Sequence, residues 1–185
     1  MFRNRSFALV TCFCLVCTLQ VNAQIPPISE KTVAAAEEMN AALSTQINFE
    51  TGAKDLSPDA AEKINTIMNE ARKKGKVDHV KVIAWPDSEY PAKGTKVPRA
   101  EINLAQDRVK VMKRYLTNEL KAGTVKTYNM AKRPTGLEKI LKTPAVKVKD
   151  TLEASGSAPT SQEDTGVFGL DGKASQGLVL IYLKQ

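Results

Sequence analysis

The chain has 185 residues, 27 Lys and Arg against 20 Asp and Glu, one histidine, three cysteines and a formal net charge of +7. A single histidine cannot form a histidine zinc cluster and makes a Ser/His/Asp triad a poor fit, and the length suits one domain with tails. The basic balance points to anionic partners, but the lysines are scattered rather than clustered on one face, which argues against nucleic acid.

The first residues, MFRNRSFALVTCFCLVCTLQVNA, combine two arginines, an apolar stretch from Phe7 to Leu19, and Val21 and Ala23 at positions that fit a secretory cleavage site. This pattern predicts a signal peptide over residues 1–23, cleaved after Ala23. The apolar run is too short to favour a spanning helix. Acylation at Cys12, Cys14 or Cys17 is the competing reading; none of them follows a small residue, and Val16 stands before Cys17. Because all the cysteines precede the cut, the exported chain from Gln24 is expected to lack disulfides, thiolate nucleophiles and cysteine metal sites. Removing 23 of the 185 residues leaves 162, and losing Arg3 and Arg5 takes the charge from +7 to +5. The expected location is periplasmic, with an anionic wall polymer or membrane surface as the natural partner, and no cofactor or metal is expected.

Residues 24–44 begin with a Pro-rich stub and then show Val33, Ala36, Met39 and Leu43 at helical spacing. Thr45 to Glu50 alternates as a first strand, with Thr51-Gly52 as a breaker. Ser57-Pro58-Asp59 supplies a capping hydroxyl, a proline at the first helical position and an acid near the positive end of the helix dipole. The helix that follows carries Ile64, Ile67, Met68 and Ala71 as its apolar stripe and closes at Arg72-Lys73-Lys74-Gly75.

In the second strand Val80, Val82 and Ala84 share one face, and Lys81, Ile83 and Trp85 the other. His79 reads as an ordinary strand histidine. A loop from Ser88 to Pro98 leads to a second long helix over about Arg99 to Leu120, with Ile102, Ala105, Val109, Met112 and Leu116 inward. Val125 to Met130 forms a weaker third strand, and Leu137, Ile140 and Leu141 suggest a short helix. Residues from about 142 to 175, including the low-complexity run EASGSAPTSQEDTG, read as a long surface loop or insertion. The last segment, QGLVLIYLKQ, is apolar on both faces and predicts a buried strand despite its position. The order β-α-β-α-β-β gives an α+β fold, with a four-stranded mixed sheet and both long helices on one face.

Two stretches, INFETGAKDLSPDAAEKINTIMNEARK and INLAQDRVKVMKRYL, carry a resemblance to the OmpA-like family, the C-terminal peptidoglycan-binding domain of outer-membrane protein A. The domain would cover residues 45–185. In the second stretch Leu104, Arg108 and Tyr115-Leu116 have the family's spacing. The resemblance implies that Asp87, just after the second strand, and Arg108 grip the diaminopimelate of the stem peptide, a zwitterion meeting an acid and a guanidinium. The chain departs from the family pattern at Pro86, Tyr90 and Glu101, where Thr, Gly and Asn are usual, and in a longer loop before Leu104.

Alone, Asp87 reads as a turn acid and Arg108 as part of a solvated helix face; together, in an exported chain, they point to a binding site, and neither is assigned to the core. Trp85 and Tyr90 flank Asp87 and are candidates for stacking on the ligand, although the strand core is an equal home for Trp85. Glu89, two residues from Asp87, forms with it a carboxylate pair of the kind glycosidases use, but no second orienting group accompanies it. The expected function is therefore non-catalytic peptidoglycan binding in a Gram-negative envelope. The alternative is a degenerate OmpA-like module that acts as an adaptor for another envelope protein.

Overall fold

A computed structural model of the protein describes residues 30–88, 96–131, 138, 140–155 and 175–184. The expected signal peptide, Glu89, Tyr90, Leu137 and most of the low-complexity run lie outside the described residues. Helix α1 spans Glu30–Glu38, strand β1 Leu43–Asn48, helix α2 Pro58–Lys74, strand β2 Val77–Ala84, helix α3 Arg99–Arg114, strand β3 Thr124–Asn129, helix α4 Pro144–Ala154 and strand β4 Gln176–Leu183. The sheet is four-stranded and mixed, in the order β1-β4-β2-β3. β4 runs antiparallel to both β1 and β2, and β2 runs parallel to β3.

The two long helices lie on one face, as the alternation predicts. Ile64, Ile67, Met68 and Ala71 of α2 and Val109 and Met112 of α3 pack on Val80, Val82, Ala84, Val179 and Ile181 of the sheet. Ser57 caps α2 by accepting from the Ala60 N–H at 3.1 Å, with Pro58 in its first turn. Ile102, assigned to the inward stripe, is only half-buried. α3 ends at Arg114 and continues as a π-helical turn over Tyr115–Glu119, so the apolar stripe reaches the buried Leu116 through widened backbone.

The opposite face is not open to solvent. α1 and α4 pack together across it, burying Ala35, Ala36, Val148 and Leu152 against Ile83, Trp85, Tyr128, Met130, Leu178 and Leu180. α4 replaces the start of the loop expected over 142–175. Thr143 caps it by accepting from the Val146 N–H, and Pro144 opens its first turn. The alternating Val146 and Val148 conceal the helical period, and both are buried.

Two further expectations shift. Leu43 is not the last helical residue of the N-terminal segment but the first of β1, because the chain turns at Asn40 in the left-handed region (φ 55°), which asparagine tolerates. Glu138 and Ile140 are helical, in line with the short helix expected there, but Ile140 and Leu141 do not form its buried face: they are 79% and 70% exposed. β4 is buried from Gln176 to Ile181; a strand between two others, with helices above and below, must be apolar on both faces.

Candidate functional site

The ends of β1, β2 and β4 meet the third turn of α3 at one edge of the sheet. Trp85 and Pro86 follow β2, and Pro86, which lacks an N–H, contributes only its carbonyl, which accepts from the Ser175 N–H at 2.6 Å. The Phe49 N–H donates to the Ser175 carbonyl at 2.7 Å, so Ser175 ties β1 to β2 immediately before β4 begins. It does so in the left-handed region (φ 66°), which a serine rarely occupies.

Asp87 follows, and its carboxylate is gripped from three sides. Oδ1 accepts from Arg108 Nη2 at 2.6 Å and from Ser175 Oγ at 2.6 Å, while Oδ2 accepts from the Gly52 N–H at 2.5 Å. Gly52 stands at φ 76°, a conformation that glycine adopts without a steric penalty. Burial pushes the Asp87 pKa up, but the hydrogen bonds from Ser175, Arg108 and Gly52 and the charge of Arg108 together hold it below the usual carboxylate range. Asp87 is therefore an anion at neutral pH.

Arg108 is not on a solvated helix face. Its side chain is 0% exposed, against 18% for that of Asp87. Nε donates to the Ala53 carbonyl at 2.8 Å, Nη1 to that of Trp85 at 2.9 Å, and Nη2 to that of Glu50 at 3.2 Å as well as to Asp87. The guanidinium carbon sits 4.8 Å from the centre of the Phe49 ring, within cation–π range. Four of the five guanidinium donors are thus bonded within the protein.

The structure brings Asp87 and Arg108 together and separates Trp85 from them. The Trp85 indole points to the other side of the sheet, among Ile83, Met130 and Leu152, where its Nε1 has no hydrogen-bond partner; only its backbone carbonyl reaches Arg108. Tyr90 and Glu89 are outside the described residues. The sequence reading missed Ser175, Gly52, Phe49 and Glu101. Glu101 Oε2, in the first turn of α3, accepts from the N–H groups of Asp87 and Ser88, each at 3.2 Å, and from Ser88 Oγ at 3.0 Å. Glu101 thus pins the loop after β2.

Among the described residues, no group of three or more His, Cys, Asp or Glu side chains is placed to hold a metal ion, and no helix is long and apolar enough to cross a membrane. The chain matches no family model, and no curated protein is significantly similar to it.

Proposed function

We propose that the protein is a non-catalytic, exported envelope protein that binds the diaminopimelate stem of peptidoglycan at the end of β2. The observation that supports this reading is the ion pair between Asp87 and Arg108, which joins the two residues that the OmpA-like resemblance assigns to the ligand. The geometry divides their roles. A carboxylate offers about four acceptor positions, and three on Asp87 are filled from within the chain. The fourth, on Oδ2 of a partly exposed group, suits the ammonium of diaminopimelate. Arg108, wholly buried, is a positioning residue: it keeps Asp87 ionised and fixed rather than touching the ligand.

That same burial favours a second reading, in which the pair is an internal lock and the domain is an adaptor that binds another envelope protein. Cosedimentation of the wild-type protein with purified diaminopimelate-type sacculi separates the two. Binding is expected, and it should fall sharply when the free amines of the sacculi are acetylated. Trp85→Phe should bind as the wild type does, since that indole lies on the other face. If the protein stays in the supernatant, or if acetylation makes no difference, the adaptor reading replaces this one.

A further inference from the structure

On the face of the sheet away from α2 and α3, a cleft of about 630 Å³ opens between the end of α1 and the start of α4. Its lining joins two chemistries. Met39 and Pro144 supply apolar surface above the buried Val146 and Val148, and Lys81, Lys142 and Lys147 supply three ammonium groups. Glu38 and Asp150 also line it, but neither lies within ion-pair distance of those lysines. The acidic residues leave the lining one positive charge in excess.

Lys81 gives the cleft its character. It stands mid-strand on β2, half-buried, and its Nζ donates to the Tyr182 hydroxyl at 2.8 Å while lying 4.3 Å from the centre of that ring. Tyr182 is itself stacked on His79 at 4.3 Å, so the phenol is held in place. No carboxylate neutralises Lys81 among the described residues, and its cross-strand neighbour is another cation, Lys126. Burial first, and Lys126 second, lower the Lys81 pKa. A half-buried ammonium without a counter-ion is unfavourable, and an anion arriving from solvent would relieve it.

We infer that this cleft binds a small amphiphilic anion, one phosphate or carboxylate on a short apolar body, with Lys81 and Lys147 meeting the head and Met39 and Pro144 the body. The site shares no residue with the surroundings of Asp87 and is independent of the wall-binding proposal. Two sources offer this chemistry, a phospholipid headgroup and a fatty acid.

The test is a titration of the 15N-labelled protein, followed by NMR, with hexyl phosphate, hexanoate and inorganic phosphate. Saturable shifts of the Lys81 and Val148 amide signals are expected with at least one of the two amphiphiles, and the tighter of them identifies the source. Lys147→Ala, an exposed change, and Lys81→Met, similar in length, should each weaken binding by about tenfold or more, as expected for loss of a charge-assisted hydrogen bond. Absence of shifts with both amphiphiles overturns the inference, as do equal shifts with inorganic phosphate alone. Unchanged affinity in both variants, with wild-type melting temperatures, overturns it as well.

Discussion

Ser175 Oγ lies 2.6 Å from Asp87 Oδ1, although 88 positions separate the two residues in sequence. Ser175 also adopts φ 66°, so one residue carries both a favourable charge-assisted hydrogen bond and a strained backbone. Ser175→Ala is expected to lose the bond and keep the strain, costing about 1.5–3 kcal/mol. Ser175→Gly should cost less, because glycine accepts this conformation freely. Urea denaturation of the two variants checks the order; a glycine variant less stable than the alanine one would show that the conformation is not strained.

Arg108→Ala should be among the most damaging single changes in the chain. It would leave the carbonyls of Glu50, Ala53 and Trp85 and the Asp87 carboxylate without their donor, and breaking a buried pair in this way typically costs about 3–5 kcal/mol. Arg108→Lys should recover little, since an ammonium cannot span a fork of four acceptors. Thermal melts decide the matter: a melting temperature equal to the wild type would return Arg108 to the solvated face that the sequence alone suggests.

Acid should weaken the site in a defined direction. Asp87 has a lower pKa in the folded protein than the ordinary value of about 3.9 that it takes when unfolded. Its contribution to stability is therefore complete above about pH 4 and is lost as the pH falls from there through the folded value. Asp87→Asn lacks this contribution at every pH. The gap in melting temperature between wild type and Asp87→Asn should hold steady from about pH 7 to 5 and narrow below about pH 4; a gap that widens in acid would contradict the sign.

Gly177 tests the packing between sheet and helix. A Cβ placed there would meet Ile47 Cγ1 and the Met112 Sδ and Cε, all at 3.1 Å. Gly177→Val is expected to force α3 away from β4 and to cost about 1–3 kcal/mol by overpacking. Gly177→Ala should cost less, because the Met112 thioether is flexible. Equal stability of the valine variant and wild type would mean that the helix sits farther from the strand.

The elements with strong local chemistry were legible in the sequence. Ser57-Pro58 marked the start of α2, the stripe from Ile64 to Ala71 its buried face, and the two-sided apolarity of QGLVLIYL a fully buried strand. α4 was not legible, because Val146 and Val148 alternate like a strand and its last turn runs into the low-complexity segment that begins at Glu153. The rear layer made by α1 and α4 was hidden for the same reason. At the site, the resemblance paired Asp87 with Arg108 but carried no information about depth. A guanidinium flanked in sequence by Gln106, Asp107 and Lys110 reads as solvated; only the convergence of Glu50, Ala53 and Trp85 carbonyls from two separate loops makes it buried. Ser175 could not be paired with Asp87 by any local rule, since the contact depends on where β4 enters the sheet.

That point of entry also governs the time at which the protein can fold. The last of the described strands, β4, lies between β1 and β2, which do not pair with each other. Until residues 176–183 have left the ribosome, β1 has no strand partner and β2 has only β3 beside it in the sheet. Pairing β1 to β4 joins Leu43 to Ile181, a long loop closure that slows folding. A chain still being synthesised is thus held open by its own topology, and a chain truncated before Gln176 should remain protease-sensitive along its whole length.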